Sequence, residues 1–191
     1  DSEFNNNKAI FNGTEGTGLG GALDILGNGC TFYNVTSNGN NASLGGSTFI
    51  RGNNTTIRNC TLDNNNATLR GGAINVAGNN CNVTDVDVSG NFAGTDGGAV
   101  YVKGDYASFV NVESYNNTAS RGGSTFIEGN FIDVHNCTLD GNKALFNGSD
   151  VSGRGGGLDV AGENCTIYDL DVSNNTADRE GGAFYVKSSN I

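Results

Sequence analysis

Apolar and polar residues alternate in a short run after each of seven Gly-Gly pairs. Counting the first glycine as position zero, position three is apolar or threonine and position five is always Val or Ile. β-Branched residues at alternate positions are typical of a strand with one buried face. The pairs begin at Gly20, Gly45, Gly71, Gly97, Gly122, Gly155 and Gly181, with successive spacings of 25, 26, 26, 25, 33 and 26 residues. A fixed period near 26 predicts a stack of equivalent coils.

The remainder of each coil predicts further strands. Position twelve is apolar, and positions fifteen and seventeen are mostly apolar, so the two-residue rhythm slips between twelve and fifteen and indicates a corner or bulge. We expect three short strands per coil, near positions two to six, ten to thirteen and fourteen to eighteen. The predicted fold is an all-β, single-domain parallel β-helix over residues 1–191, with about seven coils of ~26 residues. It should be right-handed, as parallel crossovers are.

An asparagine recurs at position twenty of six coils, and an alanine follows it two residues later. Asparagine suits turns, and identical stacked amides can hydrogen-bond up and down a column. We therefore predict a structural asparagine ladder. Its members are Asn40, Asn65, Asn91, Asn117, Asn142 and Asn175.

Two segments depart from the period by adding residues to a turn. Residues 10–19 and 145–154 are similar to each other, and the second accounts for the spacing of 33 residues. Inserts in solenoids usually lie on one face, where ligands often bind. Duplication of a longer segment explains the similarity equally well.

Charge and composition exclude some classes of partner. The formal net charge is −10 and only ten residues are Lys or Arg, which disfavours a nucleic-acid ligand. No run of 18 apolar residues occurs, so we expect no membrane insertion. The chain begins at Asp1 without a methionine, which suggests a processed or excised segment.

Thirteen Asn-x-Ser/Thr sequons are typical of a glycosylated, secreted surface, although an Asn- and Thr-rich chain also generates sequons by chance. The predicted glycosylation sites include Asn34, Asn54, Asn82 and Asn174.

Three carboxylates are the strongest candidates for a cation site. Asp85 and Asp87 are two residues apart on the predicted outer face, and Glu113 follows one coil later. Together they would hold Ca²⁺ through oxygen ligands, and no other cofactor is expected. Solvated surface charge is the favoured interpretation of these residues, and a pair of carboxylates for glycoside hydrolysis is the third possibility.

The cysteines and the single histidine suggest no metal or redox site. All five cysteines fall at inward positions, without the C-x-x-C spacing of a zinc site. They are expected to be free apolar fillers, with Cys60–Cys81 and Cys137–Cys165 disulfides as the alternative. His135 is expected at an outward, solvated strand position.

An outward column at position four contains several aromatic residues. Exposed aromatic side chains there would bind sugars or a partner protein, whereas the alternative is a stack covered by neighbouring side chains. The predicted contact face comprises Phe49, Tyr101, Phe126 and Tyr185, in one column with Asp24, Asn75 and Asp159.

The motif Gly-Gly-Ala followed by Ile, Leu or Val, with an upstream Phe-x-x-Asn, resembles known surface-protein repeats. It occurs at residues 20–23, 71–74 and 97–100, and Phe4 to Asn7 match the upstream part. Most coils depart by placing Leu, Val or Ser where the phenylalanine stands. The pattern is similar to chlamydial polymorphic outer-membrane protein repeats and to adhesin-like surface proteins of methanogenic archaea. The resemblance implies an extracellular, non-enzymatic β-helix with an adhesive or structural role.

The two ends of the chain suggest self-assembly. With Asn7 at position twenty, Asp1 falls at position fourteen, and the last residue falls at position ten of the final coil. A second copy placed head to tail would continue the interrupted coil and build a filament. The residues predicted at this junction are Phe4, Asn7, Phe184, Val186 and Ile191. The rival explanation is a fragment cut from a longer adhesin.

Three functions therefore remain from the sequence. The favoured one is an extracellular structural or adhesive protein of the cell surface, with itself as its main partner and surface glycans or other surface proteins as further partners. The second is a carbohydrate-binding module of a larger adhesin. The third is a polysaccharide lyase or hydrolase.

Overall fold

The computed structural model describes residues 1–13, 17–188 and 190, and this part of the chain is built from short β-strands joined by turns. It contains no helix long and apolar enough to cross a bilayer. In chain order the strands are β1 (Ser2–Glu3), β2 (Leu23–Ile25), β3 (Thr31–Tyr33), β4 (Val35–Thr36), β5 (Asn41–Leu44), β6 (Thr48–Ile50), β7 (Thr56–Thr61), β8 (Asn66–Arg70), β9 (Ile74–Val76), β10 (Asn82–Ser89), β11 (Phe92–Ala93), β12 (Val100–Val102), β13 (Ser108–Tyr115), β14 (Thr118–Ala119), β15 (Thr125–Ile127), β16 (Asp133–His135), β17 (Thr138–Asp140), β18 (Lys143–Ala144), β19 (Leu158–Val160), β20 (Thr166–Tyr168), β21 (Asp171–Ser173), β22 (Thr176–Ala177) and β23 (Phe184–Val186).

The strands form three parallel sheets that run along the stack. The first sheet takes one strand after each Gly-Gly pair, in the order β2-β6-β9-β12-β15-β19-β23. The second is a ten-stranded sheet along the path β1-β4-β7-β10-β13-β16-β20, and the third is the six-stranded sheet β22-β18-β14-β11-β8-β5. Paired residues such as Ile74 and Val100 are one sequence period apart. The predicted parallel β-helix is confirmed.

Inward-facing side chains from successive coils form one continuous apolar core. At position five, Ile50, Val76, Val102, Ile127 and Val160 are all fully buried. Burying a side chain of this size stabilises the fold by about 1.5–3 kcal/mol each. Cys60, Cys81, Cys137 and Cys165 belong to the same core, Cys30 is partly exposed, and all five cysteines are free, as the favoured alternative predicted.

Two buried serines explain the polar exceptions at position seventeen. Ser37 and Ser114 lie in the core, and each hydroxyl is hydrogen-bonded to a serine that follows the next Gly-Gly pair. The Ser37–Ser47 and Ser114–Ser124 oxygen separations are 2.7 and 2.6 Å. Because buried hydroxyls need partners, a serine at one position is matched by a serine at the other.

The strand boundaries differ from the prediction at one corner. The segments predicted as separate second and third strands lie in the same ten-stranded sheet, and in β10 and β13 they form one strand. The third sheet instead comes from the Asn-Ala segment that had been interpreted as a turn. The alternation of inward and outward side chains is interrupted by a residue with left-handed backbone at position fourteen. Asn and Asp tolerate this conformation. These residues are Asn34, Asn59, Asp85, Asn111, Asn136 and Asp169.

The predicted asparagine ladder is present and buried. Between Asn91 and Asn117, both the backbone N–H and the side-chain amide of Asn91 donate to the Asn117 Oδ1, at 2.8 and 3.0 Å. The Asn91 amide also donates to the Leu62 carbonyl of the previous coil. The same arrangement joins Asn7, Asn40, Asn65, Asn91, Asn117, Asn142 and Asn175. Each coil is thus joined to its neighbours by these amide bonds, which are buried from Asn40 to Asn142.

Candidate functional site

The column at position four is in register along the first sheet, but most of it is covered. Phe49, Tyr101 and Phe126 are only 7, 2 and 2 % exposed, and Tyr185 in the last coil is half-buried. The prediction that these aromatic residues form a solvent-exposed contact strip is therefore wrong for the first three. The alternative, a column covered by neighbouring side chains, describes them.

Arginine side chains form the cover. The residue before each Gly-Gly pair belongs to a second column of bridges, which contains Arg70, Arg121 and Arg154. Their guanidinium carbons lie 5.0, 4.2 and 4.9 Å from the ring centres of Tyr101, Phe126 and Tyr185. At these distances the cation is attracted to the face of the ring.

A buried carboxylate ties two of these arginines together. Asp96 is 3 % exposed and accepts from the Nε atoms of Arg70 and Arg121, at 3.1 and 2.7 Å. Arg70 also donates to the Tyr101 hydroxyl, which in turn donates to Glu128. Burial, together with the bond to Glu128, raises the pKa of Tyr101. These charges are paired and partly desolvated, so the arginines are held in fixed orientations.

The arginine column forms the floor of a groove, and the long turn of residues 145–154 forms its wall. The turn is fastened to the neighbouring coil by Gly153 N–H, which donates to the Ser120 carbonyl at 2.7 Å, and by the Asn147 amide, which donates to the Ser120 hydroxyl at 2.9 Å. The groove has a volume of about 520 Å³. It is lined by Leu44, Leu69, Arg70, Thr95, Asp96, Ser120, Arg121, Asn147, Ser149, Val151 and Ser152.

A second buried carboxyl lies beside this floor. Asp159 stands between Phe126 and Tyr185 in the position-four column. Burial raises its pKa from 3.8 to about 7, against the opposing effect of Arg121 and Arg154 and with a further increase from Asp96. The folded state therefore holds a proton on Asp159 at pH values where the unfolded chain has released it.

Asp159→Asn is expected to flatten the pH dependence of stability. In the wild type, the contribution of Asp159 to the free energy of unfolding should be greatest below about pH 4. It should fall by at most about 1.4 kcal/mol per pH unit between about pH 4 and pH 7. Asn is neutral and already occupies this column as the buried Asn75. Urea unfolding from pH 4 to pH 8 measures the effect, and Asp171→Asn, at an exposed position, is the matched control. Equal slopes for wild type and Asp159→Asn would contradict the assignment.

The three carboxylates predicted to bind calcium line one surface pocket but are not arranged as a metal site. Asp85 has a φ of 55°, accepts from Asn111 at 2.8 Å and lies 3.3 Å from the Arg58 guanidinium. Asp87 and Glu113 stand side by side in register, and burial together with Glu113 raises the pKa of Asp87. No group of three acidic, histidine or cysteine side chains in the described residues is placed to hold a metal ion. Asp85 and Asp87 share a face on either side of the buried Val86, as predicted, but Asp85 is engaged by Asn111 and Arg58. Calcium binding here stays a prediction.

The predicted glycosylation sites lie in two kinds of surroundings. Asn54 and Asn82 are exposed, and no described hydrogen bond uses their side chains. The amides of Asn34 and Asn174 donate to Asp1 and Asp140, at 3.3 and 2.8 Å. Glycosylation of these residues stays a prediction.

Sequence reasoning missed an exposed aromatic pair. Tyr106 and Phe131 stack with ring centres 4.9 Å apart, and both have left-handed backbones at position nine, with φ of 58° and 55°. The other coils use Asn or Gly there, because an ordinary side chain costs about 1–2 kcal/mol in this region. The aromatic residues at position nine interrupt a column that is otherwise Asn or Gly, and this interruption was the signal in the sequence.

A second missed feature is a ladder at position eight, in which Asn53 accepts from the Asn79 N–H and Asn79 accepts from the Asp105 N–H.

Two segments of the chain match a known family of repeats. Residues 85–103 and 169–187 match the Chlamydia polymorphic membrane protein repeat. Both segments run from a left-handed Asp at position fourteen, through a ladder asparagine and a Gly-Gly pair, to the following strand of the first sheet. No curated protein and no solved structure gives a significant match. The chlamydial resemblance is thus supported over these segments, and nothing in the comparisons supports the resemblance to methanogen adhesins.

Proposed function

We propose that this chain is a non-enzymatic protein of the extracellular cell surface with a structural or adhesive role. The observation that carries the proposal is the pair of matches to the Chlamydia polymorphic membrane protein repeat, which fall on equivalent parts of two coils. A solenoid held by buried amide ladders suits such a role, because each coil contacts only its neighbours and the length grows by adding coils.

The side chains around the groove favour binding over catalysis. Asp96 is held between two arginines, and the hydroxyl of Ser120 is bonded to Asn147. A general acid or base needs a proton that it can exchange with a substrate. Groups that are fixed by one another are better suited to recognise a ligand than to transform it.

We further propose that copies of the chain stack head to tail. Phe184 and Val186 occupy inward positions of the first sheet, yet they are 39 and 46 % exposed. At the other end, Asn7 donates to Asn40 and no described hydrogen bond uses its own side-chain oxygen, while Phe4 packs partly against the core. A second copy would cover both apolar ends and extend the ladder from Asn175 to its own Asn7. Ile191, also predicted at this junction, lies outside the described residues.

Immunogold electron microscopy of intact cells that express the chain tests both parts. For the wild type we expect gold particles on the outer cell surface, arranged in rows. Phe184→Asp should keep the surface label but lose the rows, because a charge at the junction opposes apolar stacking. Phe92→Asp, at an exposed position of β11 in the middle of the third sheet and away from the junction, is the matched control and should keep the rows. Gold confined to permeabilised cells would contradict the surface location, and rows unchanged by Phe184→Asp would contradict the stacking.

A further inference from the structure

The groove beside the long turn concentrates positive charge in an acidic molecule. The chain has a net charge of −10, but the charged residues that line the groove are two arginines and one aspartate. The side chains of Arg70 and Arg121 are 42 and 26 % exposed, so both reach solvent at the groove. A positive site attracts an anionic group, and the negative surface around it repels that group elsewhere.

The two guanidinium groups retain donors for a ligand. The Nε atom of each arginine donates a hydrogen bond to Asp96, and one terminal nitrogen of Arg70 donates to the Tyr101 hydroxyl. No described hydrogen bond uses the terminal nitrogens of Arg121. Because these groups are held by Asp96 and by the rings beneath them, little conformational entropy is lost when they bind a carboxylate.

The remaining lining matches a molecule rich in hydroxyl groups. Thr95 and Ser149 contribute hydroxyls and Asn147 contributes an amide, whereas the hydroxyls of Ser120 and Ser152 are buried and bonded within the protein. Leu69 and Val151 expose aliphatic surface in the same groove. Sugar rings present hydroxyls around their edge and apolar C–H groups on their faces, so both kinds of lining would be used.

A peptide is a poorer match for this groove. Peptides commonly bind a solenoid or sheet by adding a strand to a free edge. The floor has no such edge within the described residues, because Arg70, Asp96 and Arg121 are bridged in sequence to neighbouring coils on both sides. A ligand in this groove must therefore be recognised by the side chains that line it.

We propose that this groove binds a carboxylated glycan, with Arg70 and Arg121 receiving a uronate-type carboxylate and the hydroxyl and aliphatic lining receiving the adjoining sugar rings. The inference concerns a ligand site, and it goes beyond the proposed structural or adhesive role. It holds whether or not the chain lies on a cell surface or forms filaments.

Calorimetric titration of the full chain with tetragalacturonic acid tests the proposal. We expect saturable binding of this probe and none of a neutral galactose tetrasaccharide. Ser149 lies on the wall and contributes only backbone atoms to the described hydrogen bonds, so Ser149→Asp should weaken binding by about tenfold or more through repulsion, and Ser149→Lys should strengthen it.

Two controls make the result decisive. Ser149→Ala, which removes one lining hydroxyl without adding charge, should lose clearly less affinity than Ser149→Asp, and Thr166→Asp, with the same added charge on the exposed outer face of β20, should bind within about twofold of wild type. Absence of binding to the acidic probe, equal binding of the neutral one, or equal losses in Ser149→Asp and Thr166→Asp would each overturn the proposal. Unchanged melting curves establish that the variants are folded, and the opposite effects expected for Asp and Lys separate a charge effect from damage to the turn.

Discussion

Gly98→Ala is expected to abolish native folding. A Cβ built on Gly98 would lie 1.9 Å from the carbonyl oxygen of Gly123 and 2.7 Å from the backbone nitrogen of Thr118. Both obstacles are backbone atoms of the adjacent coil, so relief requires the coils to separate and their ladder bonds to break. The cost should exceed about 5 kcal/mol, which is comparable to the whole stability of a typical domain. Circular dichroism and urea unfolding of the purified variant measure it.

Gly182→Ala is the matched control, because it changes the same position of another Gly-Gly-Ala motif. Among the described residues, a single atom lies within 4 Å of a Cβ built on Gly182, the Asn175 carbonyl oxygen at 3.4 Å. We expect this variant to unfold within about 1 kcal/mol of wild type. Cooperative unfolding of Gly98→Ala at wild-type urea concentrations would show that the coils are not stacked this closely.

This steric requirement explains why the architecture could be predicted from the sequence. The second glycine of a pair faces the carbonyl of the following pair in nearly every coil, as at Gly46, Gly72 and Gly98. A constraint repeated in each coil leaves a period in the sequence. The ladder asparagines are predictable for the same reason, since Asn91 needs an asparagine at the equivalent position of the next coil.

The covering of the aromatic column could not be predicted in this way. Alternation within a strand indicates which face Tyr101 and Phe126 occupy, but not whether a further layer lies over that face. The covering arginines come from a position that is not uniform between coils, with Leu44, Arg70 and Asp96 in succession. Because the residue at this position changes from coil to coil, it leaves no period in the sequence. Its contacts nevertheless determine how deeply the aromatic side chains are buried.

The corner at position fourteen shows a second limit. The period of two would place Asp85 and Asp87 on one face, and that assumption led to the predicted calcium site. Both do line one pocket, on either side of the buried Val86, because the left-handed Asp85 breaks the alternation between Val83 and Val86 instead. The period does not show that Asp85 adopts a left-handed backbone and bonds with Asn111 and Arg58, and Asn or Asp at position fourteen of six coils is the signal for that conformation.

Asn117→Ala is expected to produce the largest loss of stability among changes that introduce no steric clash. Asn117 is fully buried, and its Oδ1 accepts the backbone N–H and the amide of Asn91. Its own amide donates to the Val88 carbonyl and the Ser114 hydroxyl, at 3.0 and 2.9 Å. Alanine would leave the Asn91 N–H and the Val88 carbonyl buried without these partners, at about 1–3 kcal/mol each, while the Asn91 amide and the Ser114 hydroxyl keep their bonds to Leu62 and Ser124, so we expect a loss of about 4 kcal/mol.

Asn82→Ala is the control, because Asn82 is exposed and no described hydrogen bond uses its side chain. Its unfolding free energy should stay within about 0.5 kcal/mol of wild type. Hydrogen exchange adds a spatial test, since loss of Asn117 should expose the Asn91 N–H to solvent while leaving the Ile50 region protected. An Asn117→Ala variant as stable as Asn82→Ala would mean that coil stacking depends on apolar packing alone, and the amide column would then serve only to keep the coils in register.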